Sequence, residues 1–293
     1  MKHGTTALPD KRYCLITGAS RGLGRALAEQ FWRQGWSLVL LARGQQALSD
    51  VAGALGSRAD QSLHTVVADL VRLGEAERIL EATRSMVPRL DCLINNAGVQ
   101  GPVGPVWANP WDEWLDTLRV DLLAPVGLCR LVAPWMIEND GGSIINLSGG
   151  GATGPRANFS AYATAKAGLV RFSETLAEEL KAHSVRVNCV APGVMGTAML
   201  EGILALGESA AGKKECENAA QALREGAASM QRVVDLCLFL ASDVARGISG
   251  KLVSAIWDDW ARWPEHADDL RTSDAYTLRR ISGHDRGLPW GDK

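Results

Sequence analysis

Short apolar runs alternate along this chain with longer stretches whose apolar residues recur every three to four positions, and the alternation begins at Tyr13. Tyr13–Thr17 is an apolar run ending at a glycine, and Gly22–Gln34 has the spacing of an amphipathic helix. Ser37–Ala42 reads Ser-Leu-Val-Leu-Leu-Ala, the continuous pattern of a strand covered on both faces in a parallel sheet. The same reading predicts a helix from about Gln45, a strand over His64–Ala68, a helix over Gly74–Met86 and a strand over Leu90–Asn95. A long helix is expected from Trp111 to Ile137, then a strand over Gly142–Leu147, opened by a Gly-Gly turn. Tyr162 to about His183 reads as helix and Val185–Ala191 as strand, closed by Pro192-Gly193. Residues Thr197 to about Met230 are small, polar and weakly periodic and read as a mobile insertion. A helix over Val233–Leu240 and a strand over Leu252–Ile256 complete the pattern.

Repeated strand–helix alternation of this kind predicts an α/β fold, a doubly wound parallel sheet in one domain. The expected division is a tail over 1–12, a domain over 13–256 containing the 198–230 insertion, and an extension over 257–293. That extension is polar and charged and carries Trp257, Trp260, Trp263 and Trp290. With 46% hydrophobic and 22% charged residues among 293, the chain has enough apolar material to bury a full core. A net charge of -2 gives no electrostatic footprint for nucleic acid or an anionic membrane, so neither is an expected partner. The six cysteines (Cys14, Cys92, Cys129, Cys189, Cys216 and Cys237) form no C-x-x-C pair, and five fall in apolar runs. Neither a disulfide framework nor a metal site is expected. Met1–Asp10 lacks an apolar signal core, and no apolar run reaches the roughly 18 residues that span a bilayer, so the expected location is cytoplasmic.

Candidate chemistry begins at Thr17-Gly18-Ala19-Ser20-Arg21-Gly22-Leu23-Gly24, between the first strand and the first helix. Glycines there let the backbone approach a pyrophosphate, and the helix N-terminus favours its charge. Just under 20 residues on, the second strand ends at Ala42-Arg43, where an NAD site needs a carboxylate for the ribose 2′-hydroxyl. No acid stands there. Arg43, with Arg21 from the loop, suits a 2′-phosphate instead, so NADP(H) is favoured over NAD(H); the alternative is that Arg43 only ends a strand in solvent.

Tyr162 and Lys166 sit four apart at the start of a helix-favouring stretch and project from one face. A phenol titrates near ~10 and a neighbouring cation lowers that value, so the pair can serve as a proton donor; alone, the spacing also fits a solvated tyrosine beside a surface lysine.

In these motifs, taken with Asp69-Leu70, Asn95-Asn96-Ala97-Gly98 and Pro192-Gly193 followed by Thr197, the chain resembles the short-chain dehydrogenase/reductase family over roughly Tyr13–Ile256. The resemblance implies a single Rossmann domain with a mainly parallel seven-stranded sheet flanked by helices. It implies cofactor contacts from Gly18, Ser20, Arg21, Gly22, Leu23, Gly24 and Arg43. Asp69 and Leu70 would lie at the adenine, and Asn96, Ala97 and Gly98 at the adenosine ribose. Pro192, Gly193, Met195 and Thr197 would fix the nicotinamide. Lys166 would bond the nicotinamide ribose and lower the pKa of Tyr162, the catalytic acid/base.

Departures from the family pattern bear on the mechanism. The family's serine stands thirteen residues before the tyrosine, where this chain has Gly149, with Ser148 beside it in the run Ser148-Gly149-Gly150-Gly151. Either Ser148 or a backbone N–H reaches the carbonyl through that flexible turn, or Ser148 points inward and no serine acts. Asp121 stands where the family usually has an asparagine, and an ionised carboxylate cannot donate a hydrogen bond. The family's acidic residue and two glycines near the last strand are replaced by Ala255-Ile256-Trp257-Asp258-Asp259-Trp260. The extension beyond closes over the cleft, covers a neighbouring subunit, or packs on the surface. Its tryptophans favour a polar, sugar-like substrate over an acyl chain. The expected activity is NADP(H)-dependent interconversion of a small-molecule carbonyl and alcohol, in a homodimer or homotetramer as the family implies. The alternative is a non-catalytic NADP(H)-binding subunit.

Overall fold

A computed structural model describes residues 11–72, 74–196, 198–225, 230–288 and 290. Seven strands form one all-parallel sheet: β1 (Tyr13–Thr17), β2 (Ser37–Ala42), β3 (Leu63–Val67), β4 (Cys92–Asn95), β5 (Gly142–Leu147), β6 (Val185–Ala191) and β7 (Leu252–Ser254). Their order across the sheet is β3-β2-β1-β4-β5-β6-β7, which reverses direction between β1 and β4. Alternating side chains on each strand serve opposite faces. Cys14 and Ile16 of β1 join one core with Leu38 and Leu40 of β2. Tyr13 and Leu15 join the other with Val39 and Leu41. Both faces are dry, which is why the strands read as unbroken apolar runs. Each fully buried leucine or valine contributes about 1.5–3 kcal/mol to this two-sided core.

Helices α1 (Gly22–Arg33), α2 (Gln45–Leu55) and α9 (Met230–Ala241) cover the first face. Helices α3 (Glu75–Met86), α5 (Ala124–Glu138) and part of α6 (Ser160–Glu179) cover the second. The long helix expected over Trp111–Ile137 is three pieces: α4 (Trp111–Leu118), a π-helical turn over Arg119–Leu123, and α5. Taken as one stretch, Trp111–Glu138 has 28 residues and mean hydropathy 1.5 in its most apolar window, enough by length and composition to cross a bilayer, although Arg119, Asp121 and Arg130 interrupt its apolar run. Half of that window is buried in the fold, where Leu128, Cys129, Val132 and Met136 pack on the sheet.

The 198–230 segment, weakly periodic in sequence, is helical where it is described. Its described residues form α7 (Ala198–Ala211), kinked at Gly207, and α8 (Lys213–Glu225). Leu200, Ile203, Ala211, Cys216 and Ala219 close on Phe159, a satellite cluster separate from the main cores. The few apolar residues are enough because the helices bury only a narrow stripe.

The C-terminal extension packs on its own chain. Trp263 and Leu270 enter the first core, and Trp260 packs against Phe239 with ring centroids 5.3 Å apart and planes tilted by 40°. The Leu252 N–H donates to Tyr276 O at 2.8 Å and Lys251 Nζ to Ala275 O at 2.8 Å, so the extension covers the open edge of β7. The Leu278 N–H donates to Glu174 Oε1 at 2.6 Å and so ties the extension to α6. Trp260 and Trp263 therefore serve packing, and Trp257 stands 86% exposed.

Candidate active site

The C-terminal ends of the parallel strands collect the sequence-predicted residues, beside the point where strand order reverses. Gly18–Gly24 follow β1, Arg43 follows β2, Asp69 and Leu70 follow β3, and Asn96–Gly98 follow β4. Ser148 follows β5, and Pro192, Gly193 and Met195 follow β6. Thr197 lies outside the described residues. A depression of about 1510 Å³ opens at the other end of the sheet between Arg12, Asp91, Arg186 and Lys251, away from this cleft.

On the nucleotide side the fit is one of backbone. Gly18 has φ +67, and a Cβ on Gly24 would fall 2.1 Å from the Gly18 carbonyl oxygen, so α1 could not pack this closely with a larger residue. Arg21 precedes α1 in extended conformation without a side-chain cap, and the first turn of α1 holds no acid. The leading N–H groups are thus available to an anion. Asn96 braces the loop: its Nδ2 donates to Thr17 O at 2.8 Å. Thr17 Oγ1 in turn accepts the N–H groups of Asn96 at 3.0 Å and Ala97 at 2.9 Å. Arg43 is exposed at the end of β2, and Ser20 and Asp69 are half-buried. Asp69 Oδ1 accepts from the Val71 N–H at 3.3 Å, turning the chain rather than capping α3, which starts at Glu75.

On the catalytic side the fit is one of charge. Tyr162 and Lys166 occupy the first turns of α6 and are 7% and 4% exposed, which removes the solvated-surface alternative. Lys166 Nζ donates to Leu147 O at 3.0 Å and lies 3.2 Å from Asp121 Oδ2. Asp121 sits in the π-helical turn and is fully buried; its Oδ1 accepts the Val99 N–H at 2.8 Å. The wider turn, a device frequent at functional sites, aims the carboxylate inward between the Gly98 bend and the lysine. A buried ladder fixes α6 on the sheet. Asn95 Nδ2 donates to Asn146 Oδ1 at 2.8 Å, and Asn146 Nδ2 donates to Ser173 Oγ at 2.7 Å.

Burial pushes the Tyr162 phenol above its ordinary value; Lys166 pulls it down, Asp121 adds to the rise, and Arg156 opposes it. The lowering expected from the Tyr/Lys spacing is present but outweighed, because the side chain is dry and an acid shares the lysine. Burial alone would lower the Lys166 ammonium, yet Asp121 and Tyr162 together hold it above its ordinary value. Burial likewise pushes the Asp121 carboxyl up, with Lys166 opposing.

Gly149, rather than Ser148, faces the tyrosine. A Cβ on Gly149 would lie 2.2 Å from Tyr162 Oη, so the phenol occupies the space a side chain would need. Ser148 stays in the sheet, its N–H donating to Val190 O at 2.8 Å, and its Oγ is buried without a hydrogen-bond partner. Of the two sequence alternatives, this geometry favours the one in which no serine acts.

Arg156 and Glu215 went unnoticed in the sequence. The Arg156 guanidinium lies 3.8 Å over the Phe159 ring centroid and 5.9 Å from that of Tyr162, and its Nη2 meets Glu215 Oε2 of α8 at 2.8 Å. One signal was available: Arg156 is the only charged residue between Asp140 and Lys166. Glu215, 59 residues away, carried none.

A nucleotide cradle and a buried tyrosine–lysine pair on one sheet edge define an NAD(P)-dependent oxidoreductase acting on a small molecule. The profile of the short chain dehydrogenase family matches residues 12–205, and the chain belongs to that family. It is 32% identical over 243 residues to the 3-oxoacyl-[acyl-carrier-protein] reductase FabG of Escherichia coli (strain K12), covering 82% of this chain and 93% of that one. Among solved structures, it resembles a putative short chain dehydrogenase from Shigella flexneri 2a complexed with NADP (TM-score 0.71, 27% identity, 83% of this chain and 96% of that one). It also resembles a putative NAD(P) dependent gluconate 5-dehydrogenase from Beutenbergia cavernae with bound NADP (TM-score 0.73, 28% identity, 83% and 94%).

Proposed function

We propose that this protein is an NADP(H)-dependent reductase of small carbonyl compounds, with Tyr162 as the proton donor and Lys166 as its electrostatic partner. The observation that carries the reading is the buried Tyr162–Lys166–Asp121 constellation at the same sheet edge as the glycine loop. The residues present fit a dinucleotide: the Gly18/Gly24 close approach and the uncapped start of α1 form a cradle for pyrophosphate. When bound, NADPH supplies the hydride. Gly18, Ser20, Arg21, Gly22, Leu23 and Gly24 would hold the phosphates, and Arg43 with Arg21 the 2′-phosphate. Asp69 and Leu70 would border the adenine, Asn96, Ala97 and Gly98 the ribose, and Pro192, Gly193, Met195 and Thr197 the nicotinamide.

Reduction needs a proton on the carbonyl oxygen, and the raised phenol keeps its proton through the neutral range. Lys166 stabilises the phenolate left behind, while Asp121 and Leu147 O fix where the ammonium stands. The phenol lies against Gly149, so its oxygen stands beside bare backbone rather than another side chain.

The test is NADPH oxidation over a panel of small ketones, aldehydes and keto acids. Tyr162→Phe is expected to lower kcat by about 10²–10⁴-fold while NADPH binding, read by fluorescence, is kept. Full turnover in Tyr162→Phe sinks the mechanism. A second reading, a cofactor-binding subunit without catalysis, draws on Gly149 in the serine position. Tight NADPH binding without turnover of any carbonyl supports it instead.

A further inference from the structure

The triple-glycine turn leaves a floor without side chains between two reactive groups. At one end a Cβ on Gly149 would touch Tyr162 Oη, and at the other a Cβ on Gly150 would lie 3.6 Å from Arg156 Nη1. The Arg156 guanidinium lies 5.9 Å from the Tyr162 ring centroid, in a stretch that carries no other charge. The side chain is 16% exposed, with the guanidinium carbon 3.8 Å over the Phe159 ring centroid. Desolvated in this way, a guanidinium binds a carboxylate more strongly than a surface arginine does. Its carboxylate partner here is Glu215, 24% exposed, on α8. That helix belongs to the α7–α8 pair, held by the small cluster on Phe159. Arginine has five donors, and the Glu215 contact uses one of them.

We propose that Arg156 is a specificity-determining residue that binds a carboxylate on the substrate, and that Glu215 occupies the guanidinium until that carboxylate displaces it. The substrate class is a short keto acid whose carbonyl reaches Tyr162 while its carboxylate reaches Arg156. The inference rests on the reading of Tyr162 as proton donor and adds the charge of the substrate. Phe159 packs under the guanidinium, and Gly150, without a side chain, leaves the approach to Arg156 Nη1 clear. Glu215 makes the empty site neutral, which spares the fold an unpaired half-buried cation.

Matched acid and ester pairs test this, acetoacetate against methyl acetoacetate and levulinate against methyl levulinate, since each pair shares its carbonyl and differs in charge. Wild type is expected to show kcat/KM about 10-fold or more higher for the acids, the usual worth of a hydrogen bond to a charged group. Arg156→Gln should lower kcat/KM for the acids at least about 10-fold more than for the esters, through KM, with Arg156→Lys intermediate. Glu215→Gln, which removes the competing carboxylate and leaves Arg156 in place, should lower KM for the acids. NADPH binding at wild-type strength shows that each variant is folded. Preference for the esters, or equal losses for acid and ester in Arg156→Gln, overturns the inference and leaves the reductase reading standing. If neither acids nor esters turn over, the reductase reading fails on these substrates, and thermal melting with NADP and acetoacetate decides the carboxylate site. Stabilisation by acetoacetate that Arg156→Gln abolishes supports it, and no stabilisation of wild type overturns it.

Discussion

The two halves of the cleft meet at the Asn95–Gly98 turn but are held together by different physics. On the nucleotide side, β1, α1 and the turn after β4 fit through backbone: Gly24 against Gly18 O, Asn96 on Thr17 O, Thr17 Oγ1 on two N–H groups. On the catalytic side, the end of β5, α6 and the π-helical turn fit through buried charge and one aromatic contact: Lys166 on Asp121, Tyr162 on Gly149. The first half depends on what is absent, namely side chains. The second depends on a balance between desolvation and pairing, where one atom changes the outcome. The two departures read from the family resemblance in the sequence, Gly149 and Asp121, both fall in the second half.

The largest effect expected from breaking that balance is at Asp121. Asp121→Ala leaves the Lys166 ammonium buried without its carboxylate, and removing one partner of a buried pair costs about 3–5 kcal/mol. Urea unfolding of the variant measures it, and a loss near zero would show that the pair contributes little. Asp121→Asn keeps the shape of the side chain, removes its charge and gives a sharper reading. Reduction needs the proton on Tyr162, so activity is lost as pH rises through the phenol's pKa. Burial holds that pKa above its ordinary value, and the Asp121 carboxylate adds to the rise. Removing the negative charge lowers it, so the alkaline limb of kcat/KM against pH should move to lower pH. A limb that stays in place, or moves up, breaks the assigned coupling between Asp121 and Tyr162.

Installing the family's serine gives the next effect, in a direction that family resemblance alone would not suggest. In Gly149→Ser the new Cβ would lie 2.2 Å from Tyr162 Oη, with Tyr162 Cζ at 2.9 Å. The ring belongs to a helix fixed by the Asn95–Asn146–Ser173 ladder and has little room to retreat. Overpacking of this kind costs about 1–3 kcal/mol. Displacing the acid should also lower kcat by about 10²-fold. A gain of activity in Gly149→Ser, measured beside a thermal melt, would mean that the phenol moves aside and that the site still accepts a serine.

The same division explains what the amino-acid sequence disclosed. Fold class, the parallel sheet and nearly every strand were legible, since a strand covered on both faces must be apolar at every position, as β2 is. The glycine loop was legible because close backbone approach leaves only one residue type. The α7–α8 pair was not, because its stripe is narrow and its partner, Phe159, is distant in sequence. The net rise of the Tyr162 phenol was not legible either. Spacing puts Lys166 beside it, but burial and the approach of Asp121, 41 residues upstream, are tertiary facts. Arg156 was visible as a lone charge, while its setting against Phe159 and Glu215 came only with the fold. The tail tryptophans could not be placed for a related reason: an aromatic side chain suits a cleft and a core equally, and here Trp263 takes the core.

The smallest expected effect sharpens the comparison from the nucleotide side. Arg43 stands exposed at the C-terminal end of β2, with no acid at the position where a ribose 2′-hydroxyl would seek one. If it pairs with a 2′-phosphate, Arg43→Ala removes one charge-assisted contact, about 10-fold in the Kd of NADPH, and leaves NADH binding nearly unchanged. Because the guanidinium is in solvent, the loss should shrink as salt rises, unlike any effect of Asp121, which is fully buried. Fluorescence titration with both cofactors at low and high ionic strength separates these outcomes. Equal losses for NADPH and NADH would show that Arg43 does not read the phosphate. A loss for NADPH that is insensitive to salt would place the contact in a drier site than the exposed end of β2 provides.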